Sequence, residues 1–564
     1  MSQKRSTLSG VLLFIFITTL ISIGLADELT RRVDNIFSTW DSSTSPGLAL
    51  GIFKNGKVIY ERGYGMANLD YSIGISPQSV FYVASVSKQF TAACIALLIE
   101  RHKISLDDDI RKYLPELPDY GKPVRVRDLV FHMSGIRDYS TLWELAGENI
   151  ANVHTVDDVL GLIARQKELN FSPGEEYNYS NSGYFLLAII VKRVSGKSLR
   201  EFAEENIFRP LGMKKTHFHD DSRMIVKDRA ICYSRDNSSG SKISYLGNWD
   251  LVGDGGLLTT GEDLFLWDQN FYNNNLGKGD QSLINLITTP GAFNNGKKGD
   301  YAFGLRVTTY RGLRVIRHAG SLMGFRSEII RFPDKKFTVI VLANLADINP
   351  YALARQVADF CLEKDFERAE PVRPAAGMKV GTINLSTEEM REKTGFFDHP
   401  SVGDVRIFLG EKGLTLQGMG GSYGLSPLSR TRFVALNSFP DISVEFFEKT
   451  KDKPREISLD VLGMGSFVLR SFQPVIPAPS ELEACVGTYY SGELDATYKI
   501  EIRNKELSIR VGKNPALLLT ASFRDRYVAM EGWATLDFFR DRSGKIQGFY
   551  LRAERIKNIK CIKK

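Results

Sequence analysis

The sequence predicts an α/β unit, a mixed sheet covered by helices, followed by two small antiparallel β-domains, either sheets or barrels. Three observations carry that prediction. Strand-like runs stand at both ends of residues 27–365 with helical patterns between them, breakers then interrupt the chain, and the tail repeats itself as short alternating strands. At 564 residues the chain is also too long for one compact core.

The first residues read as an export signal. Lys4 and Arg5 form a basic start, an apolar run follows from Val11 to Ile23, and Gly24-Leu-Ala26 supplies small residues before Asp27. We expect residues 1–26 to be cleaved as a signal peptide, leaving a periplasmic or extracellular protein; a retained N-terminal anchor is the minor alternative. No later run is apolar and long enough to span a bilayer.

In the α/β unit, Gly47-Leu-Ala-Leu-Gly-Ile-Phe53 is a strand, Asn55-Gly56 its hairpin turn and Lys57-Val-Ile-Tyr60 the return. Apolar positions Phe90, Ala93, Cys94, Leu97 and Leu98 recur at helical spacing and indicate a buried helix after Ser85. Phe337-Thr-Val-Ile-Val-Leu342 is a further buried strand, with a helix near Tyr351 to Leu362.

A linker is expected over 366–386, where Glu370-Pro-Val-Arg-Pro-Ala-Ala-Gly377 is rich in breakers. Beyond it Gly395-Phe-Phe397 corresponds to Gly487-Thr-Tyr489, and Gly413-Leu-Thr-Leu416 to Glu506-Leu-Ser-Ile509. Arg432-Phe-Val434 then matches Arg526-Tyr-Val528, and Val444-Glu-Phe-Phe447 matches Leu536-Asp-Phe-Phe539, at an offset of 92 to 94 residues throughout. Two tandem β-domains follow, over 387–475 and 480–564, with Pro474 to Pro479 between them. A basic cluster closes the chain (Arg552, Arg555, Lys557, Lys560, Lys563, Lys564) and reads as a solvated tail.

Composition narrows the function. The chain is 43% hydrophobic and 25% charged, which excludes a disordered or fibrous protein. Its net charge of +7 arises from 73 basic against 66 acidic residues, without a block of like charge, so no nucleic-acid partner is expected. Five cysteines, odd in number and far apart, make neither a disulfide framework nor a metal site. His217-Phe-His219-Asp220 lacks a third ligand, and the glycine-rich Gly418–Gly424 has no following helix, so no metal or cofactor is expected.

The sharpest local pattern is Ser85-Val-Ser-Lys88 at the start of the buried helix. Residues three apart share a helix face, so the lysine amine can reach the serine hydroxyl. Serine is a weak nucleophile until something takes its proton, and a partly dry lysine can do so. Tyr179-Ser-Asn181 lies in a polar loop before a helix, and His318-Ala-Gly320 precedes Ser321 and the expected strand Phe325 to Phe332.

In this order the three segments resemble the active-site elements of the serine β-lactamase and penicillin-binding-protein superfamily, nearest to its class C β-lactamase, D-aminopeptidase and esterase branch. The flanks Leu129-Val-Phe-His-Met-Ser-Gly-Ile136, Ile207–Met213 and Gly255–Asp263 are similar to further signatures of that group. The resemblance implies a central, mainly antiparallel sheet flanked by helices, with a helical part holding Tyr179, and β-barrels after it. It implies Ser85 as nucleophile, with Lys88 and Tyr179 sharing the acid and base work. Asn181 then orients the substrate amide, and the backbone N–H groups of Ser85 and Ser321, beside Gly320, form the oxyanion hole. His132 is read as structural.

One position departs from the pattern. Many members carry lysine where this chain has His318, so the permanent cation for a substrate carboxylate is replaced by a group expected to titrate near neutrality. His318 is therefore expected to bind carboxylate substrates better as pH falls through roughly 7.5 to 6. The function implied is an exported serine hydrolase working through an acyl-enzyme on D-amino-acid-containing peptides, of D-aminopeptidase or D-alanyl-D-alanine carboxypeptidase type. An esterase or broad acyl hydrolase is the alternative, and a non-catalytic binding protein the third reading. The partner expected is a small peptide or ester substrate.

Overall fold

The computed structural model describes residues 28–149, 152–236, 240–244, 250–367, 383–399, 402–411, 413–419, 421–435, 442–448, 454–461, 465–529 and 533–564. The expected signal peptide and the segment Glu370–Gly377 lie outside the described residues.

The α/β unit is built on one six-stranded antiparallel sheet. Its strands are β1 (Leu48–Lys54), β2 (Lys57–Tyr64), β3 (Arg306–Tyr310), β4 (Leu313–Leu322), β5 (Phe325–Phe332) and β6 (Phe337–Ala343), in the order β3-β4-β5-β6-β1-β2. Asn55 and Gly56 both take positive φ (53° and 73°), the primed turn geometry that matches strand twist, so the predicted hairpin forms there. β1 then pairs with β6, Leu50 against Val341, which joins the early hairpin to strands nearly 300 residues later.

β6 is buried throughout, and apolar except at Thr338, because both faces of the sheet are covered. Val339 and Val341 pack with Leu48, Leu50 and Ile330 against the helix over 28–37 and the helix Pro350–Cys361. Ile340 and Leu342 face the other way, into the cluster that holds the helix Lys88–Glu100. Residues Lys88 to Leu98 of that helix are all buried, as its all-round apolar sequence requires, and Cys94 is a core residue as expected. The helix Asn181–Ser195 packs beside it and ends at Gly196, whose φ of 74° closes the C-terminus.

The two tail repeats are closed eight-stranded antiparallel barrels, the first from Gly395 to Phe472 and the second from Gly487 to Lys563. The residue pairs that define the repeat begin equivalent strands: Gly395 and Gly487, Gly413 and Glu506, Arg432 and Arg526. Each barrel follows a short helix, Thr387–Arg391 or Pro479–Cys485. Gly413–Gly418 and Gly421–Pro427 are paired strands, so the glycine-rich run is a barrel hairpin.

The barrels differ in how they attach. The first has its own core, whereas the core of the second merges with that of the α/β unit. Buried Arg137 pairs with Glu493 of the second barrel at 2.6 Å, and the Lys167 N–H donates to the same carboxylate at 2.8 Å. Gln166 Nε2 donates to the Glu493 carbonyl, and Tyr498 Oη to that of Leu145. The basic cluster expected to be a solvated tail is instead part of this barrel. Arg552 and Lys557 to Lys563 lie on its last two strands, Ile546–Ala553 and Ile556–Lys563, because Ile556 and, past the irregularity at Asn558 (φ 57°), Ile559 and Cys561 complete its core.

Among the described residues no helix is long and apolar enough to cross a membrane. Removing one partner from a buried ion pair leaves an uncompensated charge, so Glu493→Ala should lower stability by about 3–5 kcal/mol in denaturant unfolding. Glu28→Ala, in an exposed helical pair with Arg32, should stay within about 0.5 kcal/mol.

Candidate active site

Ser85 lies on a single 3-10 turn, Ala84–Ser87, that feeds directly into the helix beginning at Lys88. A three-residue repeat makes positions 85 and 88 eclipse one another, so the predicted Ser-x-x-Lys contact forms by a tighter turn than an α-helical one. Ala84 takes φ 47°, a left-handed conformation that costs a non-glycine residue about 1 kcal/mol or more and turns Ser85 out of the helix line.

Lys88 is completely buried, yet each of its three protons has an acceptor. Its Nζ donates to Ser85 Oγ at 3.0 Å, to Asn181 Oδ1 at 2.9 Å and to the Asp254 carbonyl at 2.6 Å. Burial pushes its pKa down to about 8, partly opposed by the carboxylates of Asp254 and Asp138. An amine with that value is available as a base near neutrality.

Tyr179 meets the same centre from the opposite side, its ring centroid 4.8 Å from Lys88 Nζ and its phenol hydrogen-bonded with Ser85. Burial raises the phenol's pKa, and the Ser85 bond and nearby Arg555 only partly offset it, so Tyr179 rests protonated. His132 holds it there. The His132 carbonyl accepts from Asn178 N, its Nδ1 accepts from Ser180 N at 3.1 Å, and its ring packs 4.3 Å from that of Tyr179. The residue read as structural therefore fixes both neighbours of Tyr179.

Asn181 opens the helix Asn181–Ser195 and donates its N–H to Asp138 Oδ2 at 2.6 Å. Its side-chain carbonyl is taken by Lys88, so the group it can offer a substrate amide is Nδ2, 3.5 Å from Ser140 Oγ.

His318, Gly320 and Ser321 all lie on β4, a strand the sequence did not mark; the strand it did mark, Phe325 to Phe332, is β5. A Cβ at Gly320 would collide with the Val83 carbonyl and stand 3.1 Å from the Ser85 nitrogen, so only glycine lets this strand pass so near the nucleophile. That approach brings β4 at Gly320 alongside the turn that carries Ser85.

His318 does not behave as expected. It is buried, with Nδ1 at 2.6 Å from the Ala319 carbonyl and Nε2 at 2.8 Å from Tyr301 Oη. A carbonyl only accepts, so Nδ1 carries the proton and Nε2 accepts from the tyrosine. Burial first, then Lys88, holds its pKa well below the ordinary 6.5. Burial thus works against the expected titration between pH 6 and 7.5, and against a protonated His318 as carboxylate anchor.

The structure brings together Ser85, Lys88, Tyr179, Asn181, His318, Gly320 and Ser321. It adds residues that carried no local signal. Asp254 Oδ2 accepts from Tyr139 Oη at 2.9 Å while its carbonyl holds Lys88. Arg306 ties Asp300 at 2.6 Å to Tyr177 Oη at 2.8 Å. Arg555, from the second barrel, stands over the Tyr179 ring at 5.2 Å.

Comparison with known proteins identifies the family of the α/β unit. Residues 33–362 match the sequence model of the family described as Beta-lactamase. A D-aminopeptidase of Brucella canis is 29% identical over 299 residues, covering 53% of this chain and 56% of that protein. A D-aminopeptidase of Gluconobacter oxydans is 28% identical over 321 residues, covering 57% of this chain and 60% of its own. The chain thus spans little more than half the length of these relatives. The octameric penicillin-binding protein homologue from Pyrococcus abyssi shares the fold with a TM-score of 0.55 at 23% identity, over 79% of this chain and 99% of its own.

The base form of Lys88 is the deprotonated one, so the rate of Ser85 labelling by a fluorophosphonate should rise with pH and level off above about 8. His318 should add no inflection around 6.5, because it is already neutral there. A pH series of labelling rates, with the modified peptide located by mass spectrometry, checks both expectations.

Proposed function

Because the chain belongs to the Beta-lactamase family, we propose that it is an exported serine hydrolase that cleaves amide bonds in D-amino-acid-containing peptides through an acyl-enzyme on Ser85. The observation that carries this reading is the buried Lys88 amine, shared between Ser85 Oγ, Asn181 Oδ1 and the Asp254 carbonyl. The preference for D-amino acids rests on the D-aminopeptidases among its relatives.

The protonation states assign the roles. Lys88, lowered to about 8, accepts the Ser85 proton as Oγ bonds to the acyl carbon. The carbonyl oxygen gains negative charge, which the N–H groups of Ser85 and Ser321 stabilise; one such donor contributes about 3 kcal/mol. Tyr179, held as the phenol, protonates the departing nitrogen, the C–N bond breaks and the amine leaves. The Lys88 proton then restores the phenol. Water attacks the ester on Ser85 by the reverse proton route and releases the acid. Export rests on the Lys4-Arg5 start and the apolar run before Asp27, and N-terminal sequencing from the native cell should begin there.

Ser85→Ala should abolish turnover of a D-amino-acid anilide, and Lys88→Ala and Tyr179→Phe should each lower kcat by about 100-fold or more. Near-normal rates in both of the latter would overturn the proton route. A short-chain nitrophenyl ester measured beside the anilide and its L-isomer reads the class of substrate directly. An ester-only enzyme would overturn the peptidase reading.

A further inference from the structure

The turn between the last two strands of the second barrel, Glu554-Arg555, enters the mouth of the catalytic centre. Asn170 clamps it from both sides. Its Nδ2 donates to the Arg555 carbonyl at 2.8 Å and its Oδ1 accepts from Lys557 N at 2.8 Å. The Asn170 N–H in turn donates to the Gly135 carbonyl at 2.7 Å, close to His132 in the chain. Lys557 Nζ adds a bond to Glu176 at 2.9 Å, just ahead of the Tyr179 loop. The backbone of the turn is thus fixed to the segments that hold Tyr179, and its side chain is aimed rather than free.

Arg555 lies 5.2 Å over the Tyr179 ring. Its nearest carboxylate partners are loose: 3.8 Å to Asp138 Oδ2 and 3.6 Å to Glu554 Oε1. Asp138 is fully buried and that same oxygen already accepts from Asn181 N at 2.6 Å, so the guanidinium is not needed to satisfy it. The other positive groups around the tyrosine are committed. Lys88 has three acceptors, Arg306 bridges Asp300 and Tyr177, and His318 is neutral. Arg555, with 28% of its side chain exposed, remains open to an incoming anion.

We propose that Arg555, delivered by the second barrel, is the specificity-determining anchor for a substrate carboxylate, and that the preferred substrates are short peptides whose leaving residue carries a free carboxylate. The side of the scissile bond follows from the tyrosine. Tyr179 meets the departing nitrogen, so an anion over the Tyr179 ring belongs to the residue that leaves. The planar guanidinium presents paired donors that match a carboxylate and that neither a neutral imidazole nor a carboxamide partner can replace. The inference rests on the acyl-hydrolase reading above and names the substrate class of that same site.

The test is the ratio of kcat/KM for an N-acyl-D-alanyl-D-alanine peptide with a free C-terminal carboxylate to that for its C-terminal carboxamide. The wild-type ratio should lie well above one. Arg555→Gln should lower it by about 10- to 100-fold, mostly through KM for the acid, the scale of one charge-assisted contact. Arg555→Lys should recover part of it. A wild-type ratio near one overturns the proposal even if the variants fold poorly, as does an equal loss on both substrates in a well-folded Arg555→Gln. Absence of turnover together with absence of Ser85 labelling would instead bring down the hydrolase reading itself.

Discussion

A primary amine with no contact to solvent is the constraint on which this molecule turns. Burying an ammonium is expensive unless each donor finds an acceptor, and here the three acceptors come from a side chain one turn back, the start of another helix and a loop carbonyl. Those three segments must therefore meet at one point, Nζ of Lys88, for the core to be tolerable. The same demand that fixes the packing depresses the amine's proton affinity, so stability and reactivity share one cause. The phenol opposite responds to burial in the other direction and keeps its proton. A base and an acid thus stand either side of one hydroxyl, set apart by nothing more than the opposite sign of their charged forms.

Much of this was legible in the residues. The Asn55-Gly56 hairpin, the buried helix with Cys94, the apolar run Val339 to Ala343 of β6 and the tandem repeat each follow from a local rule that the tertiary structure does not override. The grouping of Ser85, Lys88, Tyr179 and His318 was legible because spacing and resemblance act together. The protonation of His318 was not. A histidine in a sequence carries its ordinary acidity, and only burial, then the nearby Lys88, take it below the neutral range against the opposing pull of the Ala319 carbonyl. Arg555 was missed for a related reason. Clustered basic residues near a chain end normally stay in solvent, and the apolar Ile556, Ile559 and Cys561 between them lose period-two alternation at Asn558, so they announce no strand against that expectation.

The two barrels show how one architecture reaches two outcomes. Both close eight strands in the same order, yet only the second carries Glu493 opposite a buried arginine and a tyrosine, Tyr498, whose hydroxyl reaches the Leu145 carbonyl. These polar contacts surround an apolar seam continuous with the catalytic core, while the buried core inside the first barrel stays separate. The first barrel instead meets its twin through the stacked rings of Phe472 and Phe523, 4.5 Å apart.

Closure of the second barrel has a temporal meaning. Its final strand pairs back onto its first, Lys563 beside Tyr489, and that strand also carries one side of the turn that Asn170 grips. A ribosome delivers Ser85 long before it delivers Lys563. Until that barrel closes, a chain that already holds its nucleophile and base lacks the wall above Tyr179. The mouth acquires its shape only when Ile556–Lys563 docks, so assembly runs from the chemistry outward to its enclosure.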